Sequence, residues 1–419
     1  MTGLTPSGTR LEEFREAVRT AVKPFDAQVT AEWEADRHVP TAAVAALAAQ
    51  GVLRERWADG ALGGLPKMVV LIQELFRCNG GLALATMGHS EIFVGALTRH
   101  GSTPAHTRLL EDALSGRAVG CFAATEPQGG ASLAAIQCRA VDTGDGWQLT
   151  GTKRYISNIG SATHAIVLAR ADNARDGADL CLFVVPLDTP GVTVDGFFDS
   201  SGVQACDVGQ LSLDVRLPPD ALLGSPGLGL LYASHLLQFE RLAICALLLG
   251  AAESAIGLAA GYARSRPVGG GRLIDKQVIR HRLAEAQADL WNLRSRLDEI
   301  VAFAVRERTM PPHQVSGLKL TAGRRVVEII DMAMQIFGAR GNTSAFPLEK
   351  LWRDCRIARI GGGTDEVLAD VVASYLDRPD RSVDEFISEA VRADRPAPSV
   401  ARGPVRPVAD SAAAGAYSH

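Results

Sequence analysis

Cysteine pairs at metal or redox spacing are missing from this chain. Its seven cysteines, at 78, 121, 138, 181, 206, 245 and 355, are scattered, odd in number and show no CxxC step. Neither a zinc ribbon nor a redox dithiol is therefore expected, no metal site is assigned, and reduced structural thiols are the reading. An excess of positive charge is missing too: 43 basic residues stand against 47 acidic ones, a net charge of -4. That leaves no basic footprint for nucleic acid, and an anionic substrate would need local arginines. The first amphipathic stretch, LEEFREAVRTAV, holds Glu12, Glu13 and Glu16 and no apolar leader core, so a cytoplasmic protein is expected. Only the run 242–263 is long and apolar enough to suggest a membrane span, and Glu253 interrupts it while Arg264 and Arg266 follow at once. Its Ala and Gly content suits close helix packing, so a buried core helix and no membrane contact are expected.

What is present fills more than one core. A chain of 419 residues exceeds the usual size of a single hydrophobic core, so two or three packed units are expected. Residues 1–118 read as a helical domain, with apolar spacing near 3.6 in TAAVAALAAQ and KMVVLIQELF. Residues 119–227 change to short apolar or alternating runs such as AIVLARA, LCLFVVPL and QLSLDVRL, separated by TGDG, DTPG and LPPD, which predicts a β domain. Long helical periodicity returns over 228–380, broken by RPVGGGR and TMPPH. The segment 381–419 is rich in Pro, Ala and Arg and poor in large apolar residues, so a disordered tail is expected there. The fold class is α+β: an N-terminal helical domain, a middle antiparallel β domain and a C-terminal four-helix bundle.

Three stretches carry the chemistry. CFAATEPQGGASL, 121–133, ends an apolar run in a glycine-containing loop whose backbone N–H groups and hydroxyls can meet a polar ring edge or phosphate oxygens. Taken alone, the stretch is better explained as a plain strand-to-loop turn. In LTGTKRYISNIGSATHAIVLAR, 149–170, strand alternation puts Tyr155 and Ser157 on one side. An aromatic face beside a hydroxyl could stack on and hydrogen-bond a flat heterocycle, although in isolation a core Tyr beside an edge Ser is the favoured reading. The third stretch, MQIFGARGNTSAFPLEKLWRDCRIARIGGGTDEV, spans 334–367 and closes on three glycines before Thr364.

In this order and at this separation the three segments closely resemble the acyl-CoA dehydrogenase flavoenzymes over roughly residues 9–377. The shared pattern is TEP with a Gly-rich loop, then G-x-K-x-[WY]-I-[TS]-N, then Q-x-x-G, E-K-x-x-R-D-x-R-I and a closing G-T-x-E. The resemblance implies FAD bound between the β domain and the C-terminal helices. Phe122, Ala124 and Thr125 match the segment along the flavin's pyrimidine end, and Tyr155 and Ser157 the residues over one ring face near N5. Arg266 matches an arginine that reaches the FAD pyrophosphate of a neighbouring subunit, and Gln277 and Gln335 fall on adenosine-side positions. Thr364 and Glu366 match the segment that also touches the dinucleotide. Ala131, where relatives carry a loop serine, and Arg241 are expected on the substrate side. Gly269 stands where relatives have a flavin-proximal Phe, Ala339 where they have a second Gly, and Ser132 where they have Asp.

One carboxylate is absent. Most members of the family place a glutamate directly before the Gly-Thr pair as catalytic base, and here that position is Gly362. A base need only reach the α-proton of the bound thioester while the flavin N5 faces the β-hydrogen. In LLQFERLAICALLLG, Glu240 precedes Arg241, which resembles the isovaleryl- and long-chain acyl-CoA dehydrogenase subgroup, with a small residue in the loop and a glutamate on the facing helix. The expectation is α,β-dehydrogenation of an acyl thioester, on coenzyme A or an acyl carrier protein, to a trans-2-enoyl product. Glu240 would be the base and Gly362 the vacated position. Electrons would pass to an electron-transfer flavoprotein or similar acceptor, and the enzyme would be a homodimer or homotetramer. A second reading keeps the fold and makes the chain a flavin-dependent monooxygenase, for instance on amino sugars.

Overall fold

The computed structural model describes residues 6–171 and 180–376 together with 383, 385 and 387. The rest of the expected tail, 381–419, lies outside the described residues. Helices occupy the chain up to Leu114, and two of their starts show why they begin where they do. Asp26 caps Ala27–Asp36 by accepting from the Gln28 and Val29 N–H groups at 2.9 and 3.0 Å. Thr103 caps Pro104–Leu114 through the His106 N–H, and Pro104 sits where its missing N–H costs nothing.

The sheet follows as β1 (Gly120–Ala123), β2 (Arg139–Asp142), β3 (Trp147–Ser157), β4 (His164–Ala171), β5 (Leu180–Pro186), β6 (Val192–Phe197), β7 (Val208–Leu217) and β8 (Leu222–Leu223). Its order is β6-β7-β3-β2-β4-β5-β8, with β1 also on β4. It is mixed where an antiparallel sheet was expected: β1 and β2 both run parallel to β4, while the remaining pairs are antiparallel. The period of two divides β4 and β5 between two cores. Ile166, Leu168, Leu182 and Val184 pack on the helical side. Ala165, Val167, Cys181 and Phe183 pack on the other. Burial on both faces explains why these strands read as continuous apolar runs.

The remaining architecture is built on one 37-residue helix, Gly229–Ser265, which packs against Leu65–Cys78, Gln277–Glu307 and Pro312–Phe337. Ala243, Ala246, Ala251, Ala252, Ala255 and Ala259 are fully buried along it, and such small side chains let neighbouring backbones approach closely. The run flagged as long and apolar lies here, with 78% of its most apolar window buried inside the fold. It is a core helix, as expected.

A π-helical segment, Gly88–Val94, interrupts the helix run that ends at His100. Polar side chains pin it. Arg56 donates to both oxygens of Glu91, at 3.1 and 2.7 Å, with both side chains fully buried, and Ser90 adds a third bond to Glu91 at 2.9 Å. His89 accepts from the Gly120 N–H at 3.2 Å and meets the Ala113 carbonyl at 3.2 Å, and burial pushes its pKa down to about 4. Because this ion pair has no water to fall back on, losing one charge strands the other. Glu91→Gln should destabilise the protein by about 3–5 kcal/mol. A hydrophobic double replacement of Arg56 and Glu91 should recover much of that loss, and chemical denaturation of the three proteins is the check.

Candidate active site

Between the sheet and the long helix lies a cavity of about 1830 Å³. Its sheet-side wall comes from the TEP loop and the end of β3. Lys153, fully buried, donates to Glu126 at 2.7 Å and to the Ala124 carbonyl at 3.1 Å, and Glu126 also accepts from the N–H groups of Gln137 and Cys138 at 2.6 and 2.8 Å. Burial pushes the Glu126 carboxyl up, and Lys153 with the two N–H groups more than reverses this, holding it below the usual carboxylate value. The loop is thereby closed on itself, and the Arg154 N–H, bonded to the Thr125 carbonyl at 2.8 Å, fixes Thr125 against the strand.

The β3–β7 register slips between Lys153 and Ile156, and Tyr155 takes φ 58°. A non-glycine residue at positive φ in a strand is costly and marks a position held by its surroundings for a purpose. Here the bulge leaves Tyr155 57% exposed, with its ring 4.7 Å from Phe198 and Arg154 over both rings. Tyr155 and Ser157 line the cavity together with Phe122, Ala124, Thr125 and Ala131. Arg154 lines the cavity as well, and its Nε is buried without a hydrogen-bond partner among the described residues. An aromatic platform, adjacent hydroxyls and an unpartnered donor fit a flat, hydrogen-bonding ring system.

The opposite wall holds the second constellation. Glu240 and Arg241 lie on the long helix, and both line the cavity with Gly362, Gly363 and Thr364. A Cβ built on Gly362 would stand 3.7 Å from the Glu240 carboxyl carbon, 3.5 Å from Arg241 Cγ and 3.1 Å from Ile244 Cδ1. Gly362 and Gly363 take φ 67° and 110°. Arg241 Nε donates to the Gly362 carbonyl at 2.7 Å, and the buried Lys319 Nζ donates to the Gly363 carbonyl at 2.5 Å. Among the described residues, the N–H groups of Gly362, Gly363 and Thr364 have no acceptor. Such a run of unpaired N–H groups can receive a developing oxyanion. Burial raises the Glu240 carboxyl above its usual value, and Lys319 and Arg241 oppose that rise.

Models of the acyl-CoA dehydrogenase N-terminal, middle and C-terminal domains match residues 9–117, 121–215 and 227–376. An acyl-[acyl-carrier-protein] dehydrogenase, MbtN, of Mycobacterium sp. (strain MCS) is 32% identical over 362 residues, 85% of this chain and 92% of its own. The chain belongs to the acyl-CoA dehydrogenase family. The mitochondrial short-chain specific acyl-CoA dehydrogenase of Mus musculus is 29% identical over 382 residues, 89% of this chain and 92% of its own. A solved glutaryl-CoA dehydrogenase from Mycobacterium smegmatis, in complex with FADH2, superposes with a TM-score of 0.79 at 25% identity, covering 88% of this chain and 96% of that one. The acyl-CoA dehydrogenases are flavin oxidoreductases, FAD is their cofactor, and the cavity wall formed by Thr125, Tyr155 and Ser157 fits its ring system.

Other residues matched to the acyl-CoA dehydrogenase pattern stand apart. Arg266 directly follows the long helix, Gln277 opens Gln277–Glu307, and both are exposed and outside the cavity lining. Gln335 lines a separate depression of about 440 Å³ beside Arg282 and Trp352. Glu366 is exposed in the first turn of Asp365–Leu376 and does not line the cavity. The departure at Gly269 has a local cause. Pro267–Val268 and Gly271–Arg272 pair as a small hairpin, and Gly269 and Gly270 take φ 56° and 79°, as a two-residue turn with left-handed central residues requires. The stretch RPVGGGR, read as a simple break, is this hairpin.

Two groups at the cavity wall escaped the sequence reading. The Lys153–Glu126 pair was legible only as two separate motif letters. Lys319 left one signal, a lysine on the apolar stripe of Val315, Leu318, Ala322 and Val326. The loop geometry also sets a stability test. Gly362→Ala should cost about 1–2 kcal/mol, because a left-handed backbone penalises a Cβ. Gly361→Ala, at ordinary φ with its nearest contact 3.8 Å away, should cost less than half as much. Thermal melts of the FAD-bound proteins decide it.

Proposed function

We propose that this acyl-CoA dehydrogenase family member removes the α-proton of an acyl thioester with Glu240 and yields a trans-2-enoyl thioester. The observation that carries the reading is the 3.7 Å between the Gly362 Cβ position and the Glu240 carboxyl carbon, which makes the vacated loop position and the helix carboxylate address one point in the cavity. The Gly362, Gly363 and Thr364 N–H groups would hold the thioester carbonyl and stabilise the enolate-like charge that forms as the proton leaves. Water exclusion by the apolar helix raises the proton affinity of Glu240 toward a value useful for a general base. FAD, when bound, supplies the acceptor for the β-hydride.

The relatives support a thioester on either carrier, since one is named for acyl carrier protein and another for short acyl-CoA. Both carriers present the same pantetheine thioester, so the cavity chemistry is common to them. We further propose that Arg266, Gln277, Gln335 and Glu366 meet FAD across a homodimer or homotetramer interface, their exposure in a single chain being what such a role requires. Cytoplasmic location and an electron-transfer flavoprotein as acceptor complete the proposal. The monooxygenase reading is not favoured, because the relatives are named dehydrogenases.

Rapid-mixing reduction of the flavin by a panel of acyl-CoA and acyl carrier substrates tests it. Glu240→Gln should keep FAD and bind substrate while losing about 10² to 10⁴ in rate. Adding Gly362→Glu to that variant should restore part of the rate, limited by the strain of a side chain at φ 67°. In the parent enzyme the rate should fall as pH drops through a value above the usual carboxylate range, since the base works only when ionised and burial holds its pKa up. A Glu240→Gln protein that reduces flavin at the parent rate would put the base elsewhere.

A further inference from the structure

Lys319 is an anomaly among buried groups. It lies on Pro312–Phe337 and is 1% exposed, and among the described residues its one hydrogen bond goes to the neutral Gly363 carbonyl at 2.5 Å. An ammonium taken out of water without a bonded carboxylate is expensive. A packing role alone would be better served by Met or Leu. The groups whose charge acts on it are specific: Glu240, Cys245 and Asp365 favour the charged lysine and Arg241 opposes it, while Lys319 and Arg241 both favour the ionised Glu240. Asp365 is already engaged by Arg359 at 2.6 Å and Arg324 at 3.1 Å, and burial pushes the Cys245 thiol up to about 12, so it is neutral. That leaves Glu240, whose carboxyl carbon stands 3.7 Å from a Cβ position on Gly362, next to the peptide that Lys319 holds.

We propose that Lys319 is a positioning residue of the reaction, holding the glycine loop by the Gly363 carbonyl while its charge keeps the Glu240 carboxylate ionised. This rests on the reading of Glu240 as base, and deepens it. Arg241 grips the neighbouring Gly362 carbonyl in the same way, so two helices fix two successive peptides of the loop. Without Lys319, only Arg241 would oppose burial, and Glu240 would stay protonated to higher pH. The cost appears on the lysine itself, whose pKa burial pushes down to about 8.

The test follows the two groups directly. With ¹³C-labelled glutamate in the FAD-bound enzyme, the Glu240 carboxyl resonance is identified by its loss in Glu240→Gln and titrated in the parent, Lys319→Gln and Lys319→Arg proteins. Lys319→Gln keeps a donor for the Gly363 carbonyl without the charge. Its Glu240 midpoint should rise by a unit or more, with the acid limb of flavin reduction moving in step, and Lys319→Arg should stay near the parent. An unmoved midpoint in Lys319→Gln overturns the proposal. If the midpoint moves but Glu240→Gln retains the parent rate, the coupling holds and the base assignment fails. The reciprocal measurement needs no change at Lys319: in ¹⁵N-lysine protein, Glu240→Gln should lower the Lys319 midpoint by a comparable amount, because the coupling of two sites is mutual. An unshifted Lys319 signal there would equally overturn it.

Discussion

Two cations from two helices hold two successive carbonyls of one loop, and most of the candidate site follows from that grip. Arg241 takes Gly362 and Lys319 takes Gly363. Charge-assisted bonds of this kind are worth about 1.5–3 kcal/mol each, enough to hold backbone at φ 67° and 110° where glycine removes the steric penalty. A peptide's N–H lies opposite its C=O, so fixing the carbonyls outward leaves the N–H groups of Gly363 and Thr364 facing away from the cations, without acceptors among the described residues. The loop is thereby an oriented dipole array whose direction is set by helices outside it.

The same device recurs wherever the cavity wall departs from regular structure. The strand bulge at Tyr155 is anchored by Lys153 on Glu126, and the π-helical segment at Gly88–Val94 by Arg56 on Glu91. A bulge and a π turn each leave backbone groups mispaired, and apolar packing alone does not choose among alternative registers. A buried ion pair does, because its penalty is recovered only in one geometry. Polar residues in this protein's interior therefore act chiefly on shape at the wall and less on bulk stability, which the alanine-rich long helix and its neighbours supply.

How much of this could be read from the chain depended on range. Helix, sheet, helix order was visible because periodicity is local, and the apolar runs of β4 and β5 were visible because both faces are buried. The parallel pairing of β1 and β2 with β4 was not, since strand direction depends on how the chain returns and leaves no mark in either strand. Tyr155, Ser157, Glu240 and Gly362 were found through motif resemblance, and the structure brings all four to one cavity. Lys319 was missed because a single lysine in a helix is ordinary, and only its depth makes it unusual. Arg266, Gln277 and Gln335 were matched by pattern and stand outside that cavity, so a single chain gives them no shared environment.

The absent carboxylate and the present one are a single physical fact. A side chain at 362 would begin 3.7 Å from the Glu240 carboxyl carbon and 3.1 Å from Ile244. Two ionised carboxylates about 4 Å apart repel by about 4 kcal/mol at an effective dielectric of 20, so one of them would be held neutral and lost as a base. Lys319 and Arg241 can balance one anion at this point but are already bonded to the loop carbonyls, and a second would have to take them from that work. Glycine at 362 is in this view the condition under which a helix-borne glutamate can stand there ionised, with the loop free to present backbone alone. The constraint also runs from the helix to the loop: with Arg241 next to Glu240 in sequence, the residue that supplies the charge and the residue that orients the dipoles share one rigid element, and neither can move without the other.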